Sequence, residues 1–170
     1  MSVRRLLDGL YTAAGVLAAV FMIGVLVCIS LAIAVRQLAM HIPGLDSYAG
    51  YCMAAAGFLA LAHTFKKGEH IRVTLLLASL PERGRMRLDT LALIIGTLIA
   101  ANLAWFSCKL VLDSHLFNDI STGEDASPLW IPQLSMALGT VIFFIAMLDE
   151  TICRLRGQAD NSAQETVLHE

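Results

Sequence analysis

The chain has 170 residues, of which 57% are hydrophobic and only 15% charged, and its net charge is −2. A soluble domain of this length carries about a quarter charged residues. With about a hundred residues held in membrane-length apolar runs, no room is left for a separate soluble catalytic domain. The chain is therefore read as an all-α integral membrane protein: four transmembrane helices, plus a short interfacial helix between spans two and three.

The first apolar run, Leu10 to Val35, predicts a span over about 8–36. Arg4 and Arg5 ahead of it and Ala32-Ile33-Ala34 near its end imitate a secretion signal. The run far exceeds the ~7–15 residues of a signal core, so it reads as a retained anchor. At ~39 Å it is longer than the hydrocarbon is thick, which predicts tilt or projection into the headgroups.

The second run, Tyr48 to Ala62, reaches spanning length with its mildly polar flanks and predicts a helix over about 46–65. It is rich in small residues: Gly50, Ala54, Ala55, Ala56, Gly57 and Ala60. Between spans two and three, Ile71 to Leu80 is an apolar block stopped by Pro81. It is too short to span and too apolar to be solvated. A helix over about 69–80 lying along the membrane surface fits it, with Lys66, Lys67, Arg72 and Arg83 reaching phospholipid phosphates. A segment folded back on the helices fits it equally.

The third span is expected over about 87–112. Gly96, Ala100 and Ala104 recur every four residues there, a spacing that lets helix backbones approach closely. The neighbour is either a helix of the same four-helix bundle or a partner subunit. Asn102, the most polar mid-span residue, is expected to bond a neighbouring helix, and Trp105 reads as a packing residue. The fourth span, about 128–152, opens on Pro128 and Pro132, which a first helical turn tolerates. The polar stretch 157–170 reads as a disordered tail.

Charge fixes the expected topology. Ten of the 12 Lys and Arg lie before span one, between spans two and three, or after span four; Arg36 and Lys109 fall on the other side, among Asp46, Asp113, Asp119, Glu124 and Asp125. Basic short loops stay cytoplasmic, so both termini are expected inside a bacterial inner membrane. Tyr48, Tyr51 and Trp130 near one set of span ends, and Tyr11 and Phe65 near the other, match aromatic belts.

Ion-coupled carriers keep ionisable groups at mid-membrane, and no Asp, Glu, Lys, Arg or His occupies the middle of any span here. The chain thus reads as an accessory or scaffold subunit without a cofactor. Cys28, Cys52, Cys108 and Cys153 are scattered, which favours neither disulfides nor a metal cluster. Histidines allow an alternative, a haem- or quinone-binding membrane anchor of an oxidoreductase. His63 and His70 lie toward one face, His41 and His115 toward the other, and each sits at a span end or in a loop. No nucleophile, phosphate-loop or zinc motif is present. The basic loop is too short and too close to the membrane to suggest nucleic acid.

Two loops carry a family likeness. Lys67-Gly68-Glu69-His70-Ile71-Arg72-Val73 follows span two, and Ser121-Thr122-Gly123 leads into Ile131-Pro132. In this order they resemble the small membrane subunit of tripartite ATP-independent periplasmic (TRAP) transporters, the DctQ-type component, over roughly 6–156. The resemblance implies a scaffold for a large, elevator-type membrane subunit of the DctM type, which holds the sodium and substrate sites. A periplasmic binding protein of the DctP type delivers an organic acid, and a sodium gradient drives uptake. It further implies that Lys66, Lys67, His70 and Arg72 fix the inner corner on lipid or on the large subunit, with ordinary positive-inside anchoring as the alternative. Gly68 makes the tight turn there. Ser121, Gly123 and Pro128 shape the outer loop. Asp119, Glu124, Asp125 and Trp130 are candidate contacts for the binding protein, with a merely solvated acidic loop as the alternative.

Overall fold

The computed structural model describes residues 2–40, 42–67 and 82–156. Four helices account for most of them: α1 (Ser2–Gln37), α2 (Leu45–Lys66), α3 (Glu82–Leu116) and α4 (Trp130–Leu155). Each is long and apolar enough to cross a bilayer. The expected surface helix over 69–80, with Gly68, His70 and Arg72, and the expected tail over 157–170 lie outside the described residues.

The apolar runs set the middles of these helices and local chemistry sets their ends. α1 and α3 begin before the expected positions 8 and 87. Arginine is a good helix former, so the Arg-bearing starts extend the helices past the hydrocarbon edge. α1 closes on Ala39 in a left-handed conformation (φ 53°), and Gly44 at φ 85° launches α2. A side chain at Gly44 would also collide with Asp125, whose Cβ would lie 2.7 Å away. α3 stops at a left-handed Asn118, a residue that tolerates this conformation better than most.

The four helices stand in an open row, in the order α1, α2, α4, α3. Burial explains this. On α1 one narrow stripe is buried, Tyr11, Ala14, Ala18 and Val25; on α3 the stripe is Thr97, Ala100, Ala104, Ser107 and Ser114. α2 and α4 bury residues toward two neighbours and so occupy the middle. In water the outward Val16, Val20 and Ile23 of α1, or Leu91, Leu98 and Leu112 of α3, would drive the row to curl and close. Acyl chains are as apolar as leucine, so in lipid that drive vanishes.

Within the row, α1–α2 and α3–α4 are antiparallel hairpins, and they meet along parallel α2 and α4. The meeting is close because of Gly139. A Cβ there would lie 2.5 Å from the Phe58 carbonyl carbon and 2.6 Å from its oxygen. Toward one end, Tyr11, Ala62 and Ala146 form a buried knot among three helices, capped by Phe65 and Phe143 in edge-to-face contact at 5.9 Å. Thr97 and Thr151 tie α3 to α4 through their hydroxyls, 2.7 Å apart: one donates to the other across the seam, and the acceptor donates to the carbonyl four residues back in its own helix.

Gly96, Ala100 and Ala104 lie on the α3–α4 seam, where Gly96 receives the Met147 methyl. Two sequence readings on the same helix are corrected. Asn102 is exposed rather than bonded to a neighbouring helix of this chain. Trp105 is 72% exposed rather than packed inside. Both sit on the side of α3 opposite the stripe at 97, 100 and 104.

The two glycines separate a rigid contact from a soft one. Gly139→Ala meets backbone that cannot retreat, so overpacking of about 1–3 kcal/mol outweighs the ~1 kcal/mol gained in helix propensity. Gly96→Ala meets the flexible end of a methionine and should change stability by less than about 1 kcal/mol. Thermal unfolding in detergent is expected to rank Gly139→Ala well below wild type and Gly96→Ala beside it.

Candidate functional site

Polar side chains gather at the two ends of the row. The basic end lies where α1 and α3 start and α2 and α4 finish. Here the Lys66 ammonium sits 2.8 Å from Asp149 and 3.6 Å from Glu150. It also lies 5.7 Å from the centre of the Tyr11 ring. Lys66 thus links α2 to α4 and touches α1, instead of reaching out to phosphate. A second pair, Arg154 with Asp89 at 2.9 Å, links α4 to α3. These four charged side chains are 20–28% exposed, so water and ions screen the pairs less than fully exposed ones. Lys67, Arg87 and Arg156 remain exposed around them. His63 lies nearby with its ring seated over Gly15 of α1, where a Cβ would come within 2.7 Å of the ring.

The opposite end is built around Asp125. Residues 117–129 form a hairpin closed by Ser121 N–H to Ser127 C=O at 2.8 Å and Leu129 N–H to Asp119 C=O at 3.0 Å. Asp125 Oδ1 accepts from Ser121 at 3.0 Å, and Oδ2 accepts from Tyr51 of α2 at 3.1 Å and from Ser127. Tyr51 can also donate to Ser121 at 2.9 Å, and the Gly123 N–H donates to Ser121 Oγ at 3.1 Å. Gly44 and Ser47 close the other side of this loop: a Cβ at Gly123 would come within 2.7 Å of the Ser47 hydroxyl. The hydroxyl of Ser127, then those of Ser121 and Tyr51, hold the Asp125 carboxyl at about 2 instead of its ordinary 3.8, against some desolvation. Beside the loop an open cleft of about 360 Å³ is lined by Val35, Arg36, Met40, Asp46, Ser47 and Glu124, among others. Arg36 and Asp46 approach to 3.9 Å there, both more than 80% exposed, a pair of little energetic weight.

The two ends divide the sequence candidates. Ser121, Gly123 and Asp125 are brought together, but as the internal fastening of the loop onto α2. Asp119 and Glu124 are exposed on its surface. Trp130 packs its ring edge-on to His115 at 5.3 Å. His115 and His63 lie at opposite ends of the row, so these two do not face each other. Among the described residues, no three His, Cys, Asp or Glu side chains gather to hold a metal ion. Lys66 has charged partners in this chain that spacing did not reveal. Tyr51 was read only as a belt aromatic, and its role depends on a loop more than 70 residues away.

Residues 25–157 match the family model for tripartite ATP-independent periplasmic transporters, DctQ component. The chain belongs to this family. It is therefore the small permease component of a TRAP transporter, a multi-pass membrane protein that serves transport rather than catalysis. A search of curated proteins gave no match. The matched stretch of this DctQ chain covers about the last third of α1 and all of α2, α3 and α4, including the Asp125 loop and both charge pairs at the basic end.

Two measurements test the fastenings. Because folding depresses the Asp125 pKa, its contribution to stability is complete above the unfolded value near 4 and is lost as pH falls through about 2. The unfolding midpoint of wild type in detergent should therefore drop more between pH 5 and pH 2.5 than that of Asp125→Asn. Lys66→Met leaves Asp149 and Glu150 without their cation. It should cost about 1–3 kcal/mol, less than the roughly 3–5 kcal/mol of breaking a fully buried pair, because these groups are partly hydrated. The unfolding midpoint at low and high salt checks it.

Proposed function

We propose that this DctQ subunit is a static brace. It holds the fixed part of a larger, elevator-type membrane subunit that carries the sodium and substrate sites. Its termini lie in the cytoplasm, and the assembly takes up an organic acid delivered by a periplasmic binding protein. Beyond family membership, one observation carries this reading: the row is fastened at both ends by side chains from helices distant in sequence. Lys66 joins Asp149, Arg154 joins Asp89, and Tyr51 joins the Asp125 loop. Such end fastenings resist shear between helices, which suits a part that stays still while a neighbour moves.

The remaining polar groups fit the same division of labour. Lys67, Arg87 and Arg156, exposed at the basic end, suit the phosphates of the cytoplasmic leaflet, and basic loops favour that side. Asp119 and Glu124 at the other end suit a periplasmic partner with basic groups. Surface charges of this kind tune association rate more than affinity. In proteoliposomes with a sodium gradient, organic-acid uptake should require this chain, the large subunit and the binding protein together. Uptake by this chain alone, or by the large subunit and binding protein without it, would contradict the brace. Asp119→Lys with Glu124→Lys should slow uptake at low ionic strength, and the difference should shrink as salt screens it. Uptake equal to wild type at every salt concentration would remove both residues from the docking surface.

A further inference from the structure

Scattered along the sequence, two of the four cysteines meet in the fold. Cys28 of α1 and Cys52 of α2 lie on the seam between these helices, and their thiols are hydrogen-bonded to each other. The backbone register says why. α1 and α2 run antiparallel, with Gly15 facing His63 and Gly24 facing Cys52, whose sulfur lies 3.3 Å from where a Gly24 Cβ would stand. Cys28 is one turn beyond Gly24 on α1. Side chains lean toward the N-terminus of their own helix, so on these antiparallel helices Cys28 and Cys52 lean toward each other. The missing side chain at Gly24 leaves the space in which the Cys52 sulfur sits.

Depth and exposure decide what can reach the pair. Cys28 lies nine residues before the end of α1 and Cys52 seven residues after the start of α2, ~14 Å and ~10 Å inward from the ends that face away from the basic end. Both positions fall within the hydrocarbon core. Both side chains are partly exposed, so molecules dissolved in lipid touch them. Exchange with a dissolved thiol requires a thiolate, and charge is strongly disfavoured at this depth. Water-soluble thiols and charged oxidants are therefore kept away, while a neutral two-electron oxidant in the bilayer is not.

We infer that Cys28 and Cys52 form a redox site, a dithiol that a membrane quinone converts to a disulfide. Each thiol loses its hydrogen, one S–S bond forms, and the two electrons and two protons reduce the quinone to its quinol. The protons leave the sulfurs for the quinone oxygens, so no charge persists in the hydrocarbon. The bond fastens α1, which ends the row and rests mainly on α2, by a covalent link added to its packing. This inference stands apart from the brace reading.

The test uses membranes carrying the assembled transporter. They are treated with a short-chain, fully substituted benzoquinone or with ferricyanide, a charged and water-soluble oxidant. Free thiols are then blocked with a maleimide in denaturant, and the tagged small subunit is purified and mapped by mass. Quinone should cut the blocked thiols from four to two, with the Cys28 and Cys52 peptides joined, and ferricyanide should leave all four. A dithiol soluble in the bilayer should restore the pair. Cys28→Ala and Cys52→Ala should each protect the surviving partner from oxidation. Four blocked thiols after quinone, separate quinone adducts instead of joined peptides, or bonds only through Cys108 or Cys153 would overturn the site. Equal oxidation by ferricyanide would overturn the route through the bilayer. If either variant fails to accumulate, the peptide map of the wild-type chain decides alone.

Discussion

The fold depends on one close approach. Gly139 lets α4 lie against the backbone of Phe58, and this contact brings the two hairpins together along α2 and α4. On one side of it, Tyr11, Ala62 and Ala146 form one buried cluster. Toward α3, Thr97 and Thr151 exchange a hydrogen bond at 2.7 Å. Small residues and self-satisfied threonines are what a membrane seam requires, because lipid gives helices no hydrophobic reason to associate. Packing contacts must then supply the association, and they are strongest where backbones come nearest.

Charge completes what packing begins. At the basic end the ion pairs join α2 to α4 and α4 to α3, which are the same adjacencies the apolar contacts make. At the other end a single carboxylate, Asp125, gathers three hydroxyls, one of them from α2. The ends of the row can hold charge because water reaches them, and the middle cannot. This gradient explains why the polar side chains buried inside the row are hydroxyls, those of Thr97, Ser107, Ser114, Thr140 and Thr151. A threonine can return its hydroxyl to its own helix, as Thr140 does to Met136 C=O.

Much of this was legible in the sequence, and the limits have physical causes. The four spans follow from apolar run length, which depends on the solvent and not on tertiary contacts. The Gly96, Ala100 and Ala104 spacing correctly marks a seam. The order of the row was not legible, because every side of α1 and α3 is apolar and hydropathy cannot distinguish lipid from protein. Asn102 was assigned an internal bond for the same reason: polarity says that a partner is needed but not on which side. Lys66 and Asp125 were read as outward-looking because their neighbours in sequence are polar. Their true partners come from other helices, and no local pattern encodes pairs 74 or 83 residues apart. The helices outrun the apolar runs at their starts, since α1 and α3 begin in charged residues that favour helix without needing lipid.

The two-hairpin arrangement also bears on how the molecule is made. Each antiparallel hairpin is closed by contacts between consecutive helices, so each can insert and pair as a unit in the membrane. The last step is then lateral: two preformed hairpins diffuse together in the plane and lock along α2 and α4. An interface reached so late has a rate that depends on encounter within the bilayer. Thickness, viscosity and lipid composition therefore set how fast this subunit matures, even where they leave its final stability unchanged.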